Sequence, residues 1–268
     1  MNPKNKIAII GYKGYVGKAY VDFFKDHYDL ALMDKDDSNW DEVNQCALAV
    51  ICVPTPMAAD GSCDISIVES IIEKTQVPIF IKSTIKPGTT DFLKNKYGRR
   101  IVFSPEYIGE GKYWTSFKFH QDAKDTPFIV LGGDQKDREY ILDLIVPIIG
   151  PQKRYIQMTA LEAELVKYFE NTYFGVKITF AQEMYNICKI FGADYYAVRE
   201  GWAADPRVDP MHTMVFPQAR GFSGKCLPKD LNGLVKASKE KGYTPIMFEA
   251  MLESNKKIRE KEGLPLDY

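Results

Sequence analysis

The sequence has no disulfide framework, no apolar run long enough to span a bilayer and no basic stripe, and each absence removes a class of protein. Its five cysteines, Cys46, Cys52, Cys63, Cys188 and Cys226, are odd in number and lack CxxC spacing. They read as reduced thiols rather than as staples, and no metal is expected. The opening MNPKNK runs straight into a strand without the apolar core of a signal peptide, so the expectation is a soluble, cytoplasmic chain with no membrane partner. A formal net charge of -1 argues against nucleic acid as a partner. Repeats and low-complexity tracts are missing too. What remains is an ordinary globular composition over 268 residues, a length that suits two domains.

The apolar run KIAII at 6–10 is followed by Gly11, Gly14 and Gly17 and an amphipathic segment through Phe24. Strand, glycine turn and helix in that order set a dinucleotide's phosphates on a helix N-terminus, although the spacing here is G-x-x-G-x-x-G and a plain strand–helix turn competes. The next strand, 30–33, ends in Asp34, where a carboxylate receives a ribose. An anion there repels a 2'-phosphate and favours NAD over NADP, with Lys35 softening the preference. The wholly apolar LAVICV at 48–53 suits a strand covered on both faces, and it runs into the loop PTPMAADGSCD. Ser83 and Thr84 fall at the end of a further strand at 78–81, the edge where open parallel sheets bind ligands.

Helices at 65–74, from about Thr90 and at 135–149, with strands at 101–104 and 128–131, complete an alternating βα pattern. The predicted fold is therefore α/β: a Rossmann-like, doubly wound parallel sheet over residues 1–157, then an all-helical domain over 158–268 with one long central helix. That helix is predicted from Thr159, with Glu162 completing a capping box, to about Phe191. Leu161, Leu165, Phe169, Tyr173 and Val176 form one stripe that Phe180, Met184 and Ile187 extend. An apolar surface this wide needs partners on more than one side, so the helix is expected to pack on the first domain and on a second subunit, giving a homodimer.

Glu106 and Glu110, four apart after the fifth strand, default to solvated surface carboxylates but stand at the mouth of the sheet. Lys167 and Asn171 share a side of the long helix, and they too have an ordinary surface reading. The stretch GFSGKCLPKD at 221–230 is more pointed. Pro228 fits a first helical turn, so Cys226 sits just ahead of a helix N-terminus, where unpaired N–H groups, Lys225 and Lys229 favour a thiolate. Gly221 and Gly224 leave the backbone open to close approach, and Asp230 falls on the sulfur's side of the helix. A buried structural cysteine is the competing reading. The loop 203–220 is long enough to be functional, but His212 within it is expected to be surface or packing.

Together these stretches resemble the UDP-glucose/GDP-mannose dehydrogenase family. The resemblance rests on GYVG at 14–17, VPTP at 53–56 with DGS at 60–62, ST and PGTT within 83–90, SPEYIGEG at 104–111, ELVKYFENTYFGVKITFAQE at 164–183, DPR at 205–207 and GFSGKCLPKD, colinear over essentially the whole chain. It implies NAD-dependent, four-electron oxidation of a nucleotide-sugar C6 alcohol, a UDP-hexose for preference, to the uronic acid. Cys226 would capture the aldehyde as a thiohemiacetal and be left as a thioester. By the same resemblance Lys167 and Asn171 stabilise oxyanion charge, Asp230 helps remove the alcohol proton, Glu106 assists thioester hydrolysis, and Thr84 stands near the water. Gly11, Gly14, Tyr15, Val16, Gly17, Asp34, Lys35, Val53, Pro54, Thr55, Ser83, Thr84 and Glu110 would line the cofactor. Glu106, Tyr107, Ile108, Glu110, Lys167, Asn171, Phe222, Gly224 and Lys229 would line the substrate, with Arg207 reaching in from a neighbouring subunit.

The sequence departs from the family in an extra residue in the glycine turn, with Tyr12 and Lys13 inside it, and in Ser223 where a second glycine is usual. The segment from Arg207 to Cys226 is slightly expanded, and the sequence ends at Tyr268, where the family continues into a third, nucleotide-gripping domain. Two other readings stay open: a dehydrogenase of a smaller sugar or alcohol, and a non-catalytic NAD-binding subunit.

Overall fold

The computed structural model describes residues 6–109 and 122–266. Glu110 lies outside them. The elements are β1 (Lys6–Ile10), α1 (Tyr15–Phe24), β2 (Asp29–Met33), α2 (Trp40–Val43), β3 (Leu48–Ile51), α3 (Ser66–Lys74), β4 (Ile79–Ile81), α4 (Thr89–Tyr97) and β5 (Ile101–Phe103), then β6 (Phe128–Gly132), α5 (Gln135–Ile149) and β7 (Arg154–Met158). Four helices follow: α6 (Ala160–Ile190), α7 (Tyr195–Ala203), α8 (Leu227–Glu240) and α9 (Ile246–Lys261). They divide into two compact units, one of residues 1–55 and 64–167, the other of residues 56–63 and 168–268.

In the first unit the described strands form one sheet in the order β2-β1-β3-β4-β5-β6-β7. The chain winds outward from β1 in both directions, so the sheet is doubly wound, with the order reversing between β1 and β3. Alternation along each strand feeds two cores. Ala8, Ile10, Ala49, Ile51, Ile79, Ile81, Ile101 and Phe103 pack with Val68, Ile72 and Leu93 of α3 and α4. Ile7, Ile9, Leu48, Val50, Phe80 and Val102 pack with Tyr20, Phe23 and Phe24 of α1 and Ile141 and Ile145 of α5. Covering both faces explains why LAVICV shows no polar alternation.

The expectation of a parallel sheet holds for β1 to β5 and is corrected beyond them. β6 pairs with β5 antiparallel, through Phe103 and Gly132, and β7 runs parallel to β6. Gly132 is where α6 begins its approach: a Cβ there would lie 2.4 Å from the Ala163 Cβ. Two elements had no counterpart in the sequence reading. α2 is a single turn capped by Asn39, and β7 (RYIQM) is only half-buried, so neither carries a strong periodic signal.

The capping box at the start of α6 forms as predicted, with Glu162 accepting from the Thr159 N–H at 2.7 Å and donating its own N–H to the Thr159 hydroxyl at 3.3 Å. The helix ends where Gly192 takes a positive φ of 69°. In the second unit Gly175 lets α6 meet its neighbours closely: a Cβ there would meet a Leu231 methyl at 2.6 Å and the Met251 sulfur at 3.3 Å. The predicted stripe divides in two. Val176 and Met184 pack inward, whereas Phe169 (59% exposed), Tyr173 (54%), Phe180 (47%) and Ile187 (44%) face outward. Among the described residues no helix is long and apolar enough to cross a membrane.

Candidate active site

The carboxyl edge of the sheet in the first unit gathers most of the predicted cofactor residues. Gly11 takes a φ of 87° and approaches the end of β3 so closely that a Cβ would meet the Cys52 carbonyl oxygen at 2.6 Å. A Cβ on Gly17 would meet the Gly11 oxygen at 2.0 Å. These two glycines close the turn onto the sheet. Gly14 caps α1 without any side-chain hydrogen bond. The first-turn N–H groups at Tyr15 and Val16 thus have no side-chain cap, an arrangement that fits a pyrophosphate.

The expanded turn is held at Lys13 by Asp34, which accepts the Lys13 N–H at 3.1 Å through one oxygen and the Lys35 N–H at 2.9 Å through the other. Those backbone donors hold the Asp34 carboxyl below the usual carboxylate range, the Lys35 amide foremost. Each oxygen has a second lone pair, so the carboxylate can still accept ribose hydroxyls. Further along the edge, the Ser83 hydroxyl donates to the Val53 carbonyl at 2.7 Å and the Thr55 hydroxyl to the Thr84 carbonyl at 2.6 Å. Pro54, between them, is exposed. The loops after β3 and β4 are stitched into one rim, and these residues fit a dinucleotide.

Glu106 is not a solvated surface carboxylate. Its side chain is 11% exposed, with Oε1 accepting the Tyr107 and Ile108 N–H groups at 2.8 and 2.9 Å and Oε2 standing 3.5 Å from the buried Lys82 ammonium. Tyr20, 7% exposed, has its hydroxyl pKa raised well above the ordinary value, by desolvation first and by the Glu106 charge after it. Lys167, from the start of α6, lays its ammonium over the Tyr107 ring at 5.5 Å. Glu106, Tyr107 and Lys167 therefore come together in this unit.

The second unit carries the other half of the predicted set. Cys226 is the N-cap of α8, its side chain makes no capping hydrogen bond, and it is exposed while Cys46, Cys52, Cys63 and Cys188 are buried. A cysteine entombed in the core is thereby excluded. Asp230, 1% exposed, accepts from the Asn171 amide at 2.5 Å and pairs with Lys229. Burial works against the Lys229 charge, but Asp230, with Cys63 and Cys226, outweighs it and holds the ammonium above its ordinary range. Asn171, Cys226, Lys229 and Asp230 thus form one cluster at the start of α8. Gly224 has open space where a Cβ would be, at a φ of 86°.

One predicted substrate residue sits otherwise than a lining residue would. The Phe222 ring is 3% exposed and packs with Leu231 and Met251 in the core. The Arg207 side chain is 88% exposed and closes on Asp205 at 2.6 Å. His212 stacks on Phe174 at 4.2 Å, the packing role expected of it.

Sequence reasoning missed the groups that hold these residues. Asn255 of α9, 1% exposed, accepts the Phe222 N–H at 2.8 Å and donates to the Phe222 carbonyl at 3.0 Å, anchoring the cysteine loop four residues before the sulfur. Arg259 donates to the Arg220 carbonyl at 3.0 Å beside it. Lys82 offered one signal, a cation ending the apolar strand PIFIK just before Ser83.

Residues 32–146 match the UDP-glucose/GDP-mannose dehydrogenase family NAD binding domain, and residues 161–257 match the central domain of the same family. The UDP-glucose 6-dehydrogenase of Rickettsia bellii is 30% identical over 239 residues, 85% of this chain and 52% of that protein. That of Pseudomonas aeruginosa is 26% identical over 257 residues, 90% of this chain and 54% of its own length. The chain thus spans about half the length of these relatives. Among solved structures, a UDP-glucose dehydrogenase from Pyrobaculum islandicum superposes with a TM-score of 0.82 at 23% identity, over 98% of this chain and 72% of that one, a likeness of fold. With an NAD binding domain and a central domain matched in order along one chain, the protein belongs to the UDP-glucose/GDP-mannose dehydrogenase family.

Proposed function

We propose that the protein is an NAD-dependent nucleotide-sugar dehydrogenase that oxidises a C6 alcohol to the carboxylate in two steps, with a UDP-hexose as substrate and Cys226 as nucleophile. The observation that carries this reading is the exposed Cys226 thiol at the N-cap of α8, beside the buried Asn171–Asp230 pair. Packing alone asks for none of these polar types at these points.

NAD, when bound, supplies the hydride acceptor for both oxidations. Asp230, acting through water, takes the alcohol proton as the first hydride leaves, while Lys167 and Asn171 donate to the oxygen. The Cys226 sulfur then adds to the aldehyde carbon, forming a C–S bond, and the oxygen is protonated to a thiohemiacetal. Loss of the second hydride and that hydroxyl proton leaves a thioester. Water adds to its carbonyl, the C–S bond breaks, the sulfur departs with the bond pair, and Glu106 takes the proton released by the water. The same roles support cofactor placement by Gly14, Tyr15, Val16, Asp34 and the Val53–Thr84 rim.

Counting NADH against acid tests the reading. About two NADH per acid are expected from two successive hydride losses. One NADH with an aldehyde or ketone product would instead mean a simple alcohol oxidation, and none with any sugar nucleotide would leave an NAD-binding module. Asp34→Ala is expected to weaken NAD binding about tenfold and to narrow discrimination against NADP, because an acceptor for the ribose hydroxyls and a repulsion against a 2'-phosphate go together. Equilibrium titration with both dinucleotides checks this, and an unchanged preference would place the ribose elsewhere.

The outward stripe of Phe169, Tyr173, Phe180 and Ile187 supports a homodimer through α6, since four large apolar side chains on one helix face make a patch of the kind monomers seldom expose. Tyr173→Glu is expected to halve the mass measured by light scattering. A wild-type chain that is already monomeric at that concentration would remove the dimer.

A further inference from the structure

Lys82 follows β4, 5% exposed, between the apolar core and the cofactor rim. Its ammonium donates to the Ser104 hydroxyl at 2.9 Å and the Pro105 carbonyl at 3.0 Å, and it lies over the rings of Tyr20 and Phe80 at 5.2 and 5.3 Å. Burying such a charge costs several kcal/mol unless it is paired and hydrogen-bonded, so packing gives no reason for a lysine where a methionine would fill the same space. The partner it faces is Glu106. While Oε1 of that carboxylate is satisfied by two backbone amides, Oε2 is buried, meets the ammonium at 3.5 Å and makes no hydrogen bond. An unsatisfied buried carboxylate oxygen is costly. Beside it lies a cavity of about 20 Å³ whose lining includes Tyr20, Lys82, Ser104 and Glu106, polar enough and large enough for one water molecule.

We propose that Lys82 is the positioning residue for Glu106: its ammonium and one water in this cavity hold Oε2 and fix the carboxylate for its part in releasing the acid from Cys226. The proposal rests on the reading of Glu106 as the group that takes the proton from the hydrolytic water. In that step the thioester C–S bond breaks, a C–O bond forms, and the proton taken up by Glu106 is returned to the sulfur, so nothing is consumed but water. In this role Lys82 is a support and not a group that meets the reacting atoms. It acts by keeping the carboxylate from turning or drifting between turnovers, as a rigid support does for a group that must meet water at a fixed angle.

The first test needs no turnover. A crystal structure of the wild-type chain is expected to show one ordered water bonded to Glu106 Oε2, and that of Lys82→Met to show Glu106 displaced or in more than one conformer. A dry cavity in the wild type, or an unmoved Glu106 in the variant, overturns the proposal. The second test is a quenched single turnover with NAD and UDP-glucose, read by intact mass. Lys82→Met and Glu106→Gln are both expected to accumulate the acyl adduct on Cys226 and to slow acid release by about tenfold or more. Adduct in Glu106→Gln alone removes Lys82 while leaving Glu106 in its role. Adduct in neither removes both, and acid formation by Cys226→Ala then shows that the covalent scheme itself has gone. If Lys82→Met does not fold, Ser104→Ala, which takes away one acceptor of the ammonium and keeps its charge, is expected to give a smaller accumulation, and none at all counts against the proposal.

Discussion

Cys226→Ala is expected to abolish acid production, lowering its rate by about 10⁴-fold or more, as removal of a covalent nucleophile does elsewhere. The size follows from the chemistry of the second oxidation. An aldehyde offers no hydride next to an ionisable hydroxyl until something has added to its carbonyl. In the proposed scheme sulfur at 226 does this by addition, and alanine leaves only the slow hydrate. The first hydride needs no sulfur, so the variant is expected to form NADH once per sugar and to leave an aldehyde that a carbonyl reagent traps. Folding should not confuse the result. The Cys226 side chain is exposed, so its truncation costs about 0.5 kcal/mol, typical of a surface position. The four other cysteines are buried, so alkylation of the native wild type should mark residue 226 first, and activity should fall in step with that label. Acid formed by the alanine variant at the wild-type rate would end the covalent scheme.

Much of this was legible before any coordinates. KIAII, LAVICV and the glycine turn carry their own punctuation, and a strand that is apolar at every position has only one comfortable place, inside a sheet covered on both faces. Thr159 and Glu162 announce a helix start because both partners lie within one turn. Cys226 ahead of Pro228 is legible for the same reason. Strand direction is another matter. Nothing in FIVLG says that it runs against β5, because side-chain alternation is the same in either sense and the pairing is a single contact at Gly132. The buried polar groups were hidden for a related reason. Lys82 finds Ser104, Pro105 and Glu106 more than 20 residues on, and Asn255 finds Phe222 across 33 residues. A sequence shows a lysine or an asparagine but not the backbone it will satisfy. Phe222 misled in the opposite way, its motif neighbours being exposed while its own ring serves as core.

Glu164 is such a group too, and it makes folding stability depend on pH in a direction opposite to that of most carboxylates. It lies on α6, 0% exposed, and accepts the Gly88 N–H, the Thr90 N–H at 2.8 Å and the Thr90 hydroxyl at 2.6 Å. It thus caps the N-terminus of α4, where Gly88 has no side chain to offer. Burial pushes the carboxyl up from 4.5 to about 7, against the pull of those donors. A folded-state value above the unfolded one means that the native chain holds the proton more tightly. The stability this confers is present in full below about pH 4.5 and is lost as pH rises through about 7, in all about 3 kcal/mol. Glu164→Gln keeps an acceptor for Thr90 and cannot ionise, so its stability should lack this component. Urea unfolding of both proteins at intervals from pH 5 to pH 8 isolates the contribution, since every other titrating group is common to the two. The variant should gain on the wild type by about 2.5 kcal/mol across that window, a change in the folding constant of about seventyfold. Parallel profiles would mean that the three donors keep Glu164 ionised throughout, with α4 anchored by a buried charge instead of by a proton shared with the solvent's pH.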